Sequence, residues 1–167
     1  MAKEAWLIVV EGSAEQNFFT FLANDFSDSA FLPKHIALTI VKAGGGRSPA
    51  KRILERAKQE KRSKQKAPYR HIFALLDLDR AYKGMEEDFQ AENIILMTCD
   101  PRLENVLLAC DNHPISAHED AKESFQNHFG TEAQHLNWWG NLLPCNLTKE
   151  KLLNCPLLES FWEKAPL

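Results

Sequence analysis

Long apolar runs, paired cysteines and nucleotide-binding signatures are missing from this chain, and each absence excludes a class of protein. The longest apolar run near the start is Ala5-Trp6-Leu7-Ile8-Val9-Val10, far short of the roughly 20 residues a membrane-crossing helix needs. No membrane span is expected. Met1-Ala2-Lys3-Glu4 has neither the basic start nor the apolar stretch of a secretory signal, so a cytoplasmic protein is the expectation. Cys99, Cys110, Cys145 and Cys155 form no CxxC pair and no metal-ligand spacing with the histidines. They read as reduced, mostly buried thiols. Gly44-Gly45-Gly46 lacks the GKS/T of a P-loop and the spacing of a dinucleotide fingerprint, which leaves a bendable turn as the reading. His113, His118, His128 and His135 show no zinc spacing and read as surface residues.

What is present suits an ordinary soluble globular protein of one domain: 167 residues, 44% hydrophobic and 26% charged. A chain of that length buries roughly 70% of its unfolded surface and needs no disulfide or structural metal to hold it. Its charge is uneven. Residues 47 to 70 carry ten Lys or Arg against Glu55 and Glu60, a local balance of +8, which leaves −11 for the rest of the chain. A cationic face beside an acidic one is one consequence, and a solvated helix face is the plain alternative.

Hydrophobic periodicity orders the elements. Trp6 to Val10 reads as a buried strand ending at Glu11-Gly12. Ser13 with Gln16 three residues on has capping-box spacing, and Phe18, Leu22 and Phe26 form one helical stripe. Ile36 to Val41 is a second strand. Ser48-Pro49 then opens the basic helix, whose inner face is Ile53, Leu54 and Ala57, and Pro68 stops it. Ile72 to Leu76 is a third strand running into Asp77-Leu78-Asp79. A short helix at Met85 to Ala91, a fourth strand at Ile94 to Thr98 and a helix through Leu103, Val106, Leu107 and Leu108 follow. This β-α-β-α-β-α-β alternation predicts an α/β fold with a mainly parallel four-stranded sheet and helices on both faces. The remainder reads as helical: a capping box at Ser116 and Glu119, a stop at Gly130, and a last helix capped by Thr148 and containing Leu152 and Leu153. Trp138-Trp139-Gly140 reads as a packing corner.

The candidate chemistry lies where the strands end. In parallel α/β sheets, functional groups gather beyond the strand carboxyl ends. Glu11 follows the first strand, Asp77 and Asp79 end the third, and Glu104 lies just past the fourth. Two-residue spacing in extended chain points Asp77 and Asp79 the same way. Glu11 joins them if strands one and three are neighbours, and Glu15 is one helical turn further on. Carboxylates that converge repel one another unless a cation neutralises them, and all-oxygen ligation favours magnesium or manganese. Each acid also has a purely structural reading: a DxD can cap the next helix, Glu15 suits a helix dipole, and Glu104 suits an exposed helix face.

Three motifs, in order and separation, resemble a known family. Leu7-Ile8-Val9-Val10-Glu11-Gly12-Ser13-Ala14-Glu15 resembles the opening of the TOPRIM fold of OLD-family nucleases and RloB-like proteins. Phe73-Ala74-Leu75-Leu76-Asp77-Leu78-Asp79 is similar to the TOPRIM DxD strand. Asp100-Pro101-Arg102-Leu103-Glu104-Asn105-Val106-Leu107-Leu108 resembles the RloB-like segment in which a proline precedes an aromatic-Glu pair. The likeness spans about residues 5 to 110. It departs at Arg80, where an acid is often found, and at Leu103, Val106 and Cys110, which replace a Phe, a Trp and a His.

The resemblance implies a TOPRIM-like, Rossmann-like core over residues 1–112 and a helical extension, 113–167, packed on it. It implies magnesium- or manganese-dependent cleavage of phosphodiester bonds in nucleic acid. Glu11, Asp77 and Asp79 would be catalytic and hold one ion, with Glu15 and Glu104 drawn on for a second. Arg47, Lys51, Arg52, Arg80 and Lys83 would hold the nucleic-acid backbone, with affinity falling as salt rises. An anti-phage setting and an ATPase partner are further implications, since this chain carries no ATPase motif. With two tyrosines and no strand-passage domain, a topoisomerase is not expected; nor is a complete primase, for want of a zinc ribbon. Two rivals stay open: a non-catalytic TOPRIM module binding nucleic acid or a protein, and a metal-dependent nucleotidyl or phosphoryl transferase.

Overall fold

The computed structural model describes residues 3–23, 32–33, 35–44, 49–64, 67–78, 84–116, 118–130, 132–133 and 149–165. Arg47, Asp79, Arg80 and Lys83 among the candidate site residues lie outside these, as do Phe26, Ser48, His135, Trp138, Trp139, Gly140, Cys145 and Thr148.

Four strands, β1 (Glu4–Val10), β2 (Ile36–Lys42), β3 (His71–Asp77) and β4 (Ile95–Cys99), pair in parallel in the order β2-β1-β3-β4. β1 is central, and its run from Trp6 to Val10 is buried throughout. A strand covered on both faces needs a continuous apolar run rather than alternation, which is what this segment provides. Within it the side chains divide by parity. Trp6, Ile8 and Val10 join one core, and Leu7 and Val9 join the other.

Helices supply the two coverings. On the Leu7 face pack α2 (Pro49–Ser63), through Ile53, Leu54 and Ala57, and α3 (Glu86–Ala91), through Phe89. On the Trp6 face pack α1 (Ser13–Ala23) through Phe18, Phe19 and Leu22, and α4 (Leu103–Cys110) through Leu103, Leu107 and Leu108. The chain thus leaves β1 toward β2 over one face and reaches β3 and β4 over the other. The sheet direction switches at the β1–β3 pair, where Trp6 stands opposite His71 and Val9 opposite Ala74. This is a Rossmann-like α/β fold.

The C-terminal part is helical and shares the core of the Trp6 face. It comprises α5 (Ala121–Phe129), α6 (Lys149–Leu153), a single tight turn Pro156–Leu158 and α7 (Glu159–Lys164). Phe161 of α7 lies 5.1 Å from Phe73 and 5.4 Å from Trp6, ring centre to ring centre. Burying a side chain of that size contributes about 1.5–3 kcal/mol. That contact anchors α7 to the two central strands.

Three local expectations are corrected. The first helix is capped by Gly12 and Glu15, not Ser13 and Gln16. The Gln16 amide bonds the Gly12 carbonyl, and the Gly12 amide donates to Glu15 Oε2 at 3.0 Å. Ser13 is already helical, its Oγ accepting from Lys42 Nζ at 3.1 Å. Ser116 and Glu119 do bond, at 3.0 Å, but they close a turn rather than open a helix. Asp120 caps α5 instead, taking the amides of Lys122 and Glu123 at 2.8 and 3.1 Å, because a carboxylate accepts more strongly there. Finally, the helix containing Leu152 and Leu153 is α6, as expected, but it is not the last, since α7 follows it. Gly130 does end α5, with φ 75°.

Candidate functional site

Glu11 directly follows β1 and Asp77 ends β3, and because the strands are neighbours both reach the same edge of the sheet at the switch point. Such a point leaves a crevice, since the flanking helices diverge to opposite faces. Here it is a cavity of about 600 Å³ lined by Glu11, Glu15, Asp77 and Glu104 together. Four of the five acids named from the sequence therefore meet at one place, and the fifth, Asp79, lies outside the described residues.

Each acid arrives for a local reason. Glu15 occupies the third position of α1 and is drawn back over the helix start by the Gly12 amide. A Cβ on Gly12 would lie 2.9 Å from Glu15 Oε2, so a larger residue there would push the carboxylate aside. Glu104 sits in the first turn of α4. It is 8% exposed and Glu15 9%, so neither is the solvated helix residue that a lone glutamate suggests. Asp77 is extended by one further bond, the Leu78 amide to the Cys99 carbonyl, which carries the β3–β4 pairing past the strand end.

The electrostatics follow from this crowding. Burial pushes the Glu15 carboxyl above its ordinary range, and the neighbouring charges of Glu104 and Glu11 push the same way against the hydrogen bonds that lower it. Glu11 Oε2 is buried with no hydrogen-bond partner among the described residues. An uncompensated buried carboxylate oxygen is costly. A hard cation is one group that would relieve it. Among the described residues no three His, Cys, Asp or Glu side chains form a group able to hold an ion by themselves.

Positive groups also line the cavity. Arg102, just before α4, and Lys122, in the first turn of α5, share its wall with Asp120, Glu123, Gln126 and Glu132. The first turns of α1, α4 and α5 thus all border it, an arrangement whose helix dipoles favour anions. Sequence reasoning placed none of the α5 residues here. The Asp120 to Glu123 cap spacing marks a helix start, but nothing in it tells which edge of the sheet that start faces.

Lys51 and Arg52 are exposed on α2, which covers the opposite face of the sheet. Arg52 lines a separate groove with Arg56, Gln59 and Arg62 rather than the acid cavity. His128 departs from its reading as a surface residue. It is half-buried, bonded through Nε2 to Asp111 at 2.7 Å, and stacked on His113 at 4.4 Å.

Among the described residues no helix is long and apolar enough to cross a membrane. Comparison with protein-family models, with curated proteins and with solved structures gave no match to this chain.

Proposed function

We propose that this chain is a TOPRIM-type, divalent-cation-dependent phosphodiesterase acting on nucleic acid. The observation that supports the reading is the convergence of Glu11, Glu15, Asp77 and Glu104, from three separate segments, on one cavity at the switch point of a parallel sheet.

The donor set suits magnesium or manganese. It is all oxygen, carries excess negative charge, and leaves Glu11 Oε2 without a partner among the described residues. Glu11 and Asp77 would hold the ion. The described acids do not complete a three-ligand group, so the reading requires Asp79 as well. Glu15 and Glu104 stand behind as the donors for a second ion. A bound ion of this kind neutralises charge on a phosphate oxygen and lowers the pKa of water.

The chain's own residues do the rest. Arg102 and Lys122 line the cavity as cationic donors able to orient a phosphodiester against the acids. The buried floor of β1 and β3 fixes the Glu11 and Asp77 backbones, because five consecutive residues of each strand are buried. Lys51 and Arg52, with Arg47, Arg80 and Lys83, would follow the nucleic-acid backbone beyond the cleavage point. An anti-phage role with an ATPase partner belongs to the same proposal, and co-purification from the native host tests it.

The direct test is a panel of labelled DNA and RNA substrates with magnesium or manganese. The reading expects cleavage that EDTA stops and that Asp77→Asn and Glu11→Gln each reduce by at least about 100-fold with the fold intact. Nucleic-acid binding that survives Asp77→Asn and EDTA, without cleavage, would instead mark a non-catalytic module.

A further inference from the structure

A second hollow lies beside the acid cavity. It encloses about 670 Å³ between the outer face of α4 and the turn before α5, lined by Pro101, Arg102, Asn105, Ala109, Pro114 and Ile115 among others. That volume is within the range of small-ligand sites. Arg102 and Asp120 border both spaces, so groove and cavity are contiguous. α4 serves both, because successive helix residues point about 100° apart: Glu104 lines the cavity and Asn105 the groove.

The groove has different chemistry from the cavity. Pro101, Ala109, Pro114 and Ile115 give it apolar walls in place of converging carboxylates. Two of its acids are already engaged. Glu119 takes the Ser116 amide at 3.0 Å, and Asp120 takes those of Lys122 and Glu123. Asn105 stands apart: its Oδ1 is buried and has no hydrogen-bond partner among the described residues. An acceptor left in that state is costly, and an amide offers a neighbour both an acceptor and donors.

We propose that this groove is a base-binding subsite, which takes an unpaired nucleobase, adenine best, from a strand whose phosphate lies in the acid cavity. The proposal rests on the nucleic-acid reading above and names its substrate as single-stranded. One sugar joins a base to its phosphate, so a phosphate beside Arg102 delivers its base to the groove that shares Arg102. The apolar walls cover the faces of the base. Asn105 reads its edge: a half-turn about Cβ–Cγ exchanges the two ends of the amide, bringing Oδ1 to the groove. Adenine N6 then donates to Oδ1 while N7 accepts from Nδ2. Thymine presents an oxygen where adenine has N6 and does not reproduce the pair. A base inside a duplex is stacked and paired, which leaves single strands and frayed ends to fill the groove.

The experiment measures fluorescence anisotropy of the full chain with labelled oligo-dA, oligo-dT and an abasic strand of equal length. Calcium replaces magnesium, and a gel checks that the strands stay intact. Oligo-dA is expected to bind at least about fivefold tighter than the other two. Ala109 is exposed, so Ala109→Phe fills the groove without entering the core. It should abolish the oligo-dA advantage and leave duplex affinity unchanged. Asn105→Leu should bring oligo-dA down to oligo-dT. Should either variant fail to fold, the wild-type comparison with the abasic strand still decides. Oligo-dA binding no tighter than the abasic strand, an adenine preference that survives either substitution, or an equal loss of duplex affinity in Ala109→Phe would overturn the proposal. Metal-dependent cleavage without adenine preference would overturn the subsite alone. Adenine-preferring binding without cleavage in magnesium or manganese would keep the subsite and overturn the phosphodiesterase reading.

Discussion

Asp111 Oδ1 accepts a hydrogen bond from Lys151 Nζ at 2.7 Å while its Oδ2 lies 2.7 Å from His128 Nε2, so one carboxylate ties α4 to α5 and α6. Its side chain is 1% exposed. Burial alone would raise this carboxyl, but the hydrogen bonds from Lys151 and His128 outweigh it and hold the group below the ordinary aspartate range. A carboxylate lowered in the folded state contributes stability that is fully present above its unfolded pKa and is lost as pH falls through the folded one. Asp111→Ala is therefore expected to cost about 2–3 kcal/mol at neutral pH. Chemical denaturation at several pH values checks it, and the gap from wild type should close in strong acid.

A smaller effect with a local cause is expected at Gly12. Its amide donates to Glu15, and a methyl group there would meet Glu15 Oε2 at 2.9 Å. Gly12→Ala must swing the Glu15 carboxylate away and lose the cap, at about 1 kcal/mol. Thermal unfolding reads the stability, and titration calorimetry with manganese should show weaker binding than wild type. Equal manganese affinity would show that Glu15 has no part in holding an ion.

How much of this the sequence carried can be judged residue by residue. The apolar run Trp6 to Val10 announces a central strand because burial on both faces leaves no polar position, and the structure buries all of it. Glu11, Glu15, Asp77 and Glu104 can be placed at one edge because parallel strands bring all their carboxyl ends together. The capping frame of α1 lies one residue away from the sequence reading. Gly12 with Glu15 and Ser13 with Gln16 both satisfy the spacing, and the choice falls to the charged acceptor, whose bond to the helix start is stronger. Lys122 escapes sequence reasoning for a different reason. Periodicity predicts that α5 exists, but its docking depends on Ala121 and Phe125 packing into a core assembled by distant segments. The same holds for Asp111 and Lys151, whose pairing depends on where α6 docks.

The basic helix gives a prediction read in salt. Lys51 and Arg52 are exposed on α2 and lie away from the acid cavity, so they would contact backbone phosphates without touching the chemistry. Replacing both with alanine should flatten the dependence of log affinity on log salt by roughly 0.7–0.9 for each phosphate no longer neutralised. Single-turnover cleavage at saturating protein should stay near the wild-type rate. An unchanged salt slope would remove α2 from the interface.

Glu15 offers the sharpest link between burial and cation binding. Its carboxyl is raised by burial first and then by Glu104 and Glu11, so the folded state holds its proton more tightly than the unfolded chain does. For a carboxyl raised in this way the penalty is absent below the unfolded pKa, grows as pH rises toward the folded pKa, and is constant above it. Glu15→Gln removes the charge yet keeps an amide oxygen for the Gly12 N–H. Without divalent ions at neutral pH, the variant should melt a few degrees above wild type, and the two should converge as pH falls toward the unfolded glutamate value. Added magnesium should then raise the wild-type melting temperature more than that of the variant, because a cation relieves a repulsion only the wild type carries. Calorimetric scans across pH, with and without magnesium, read both effects. If magnesium shifts the two proteins equally, Glu15 is held in the cavity by its cap alone.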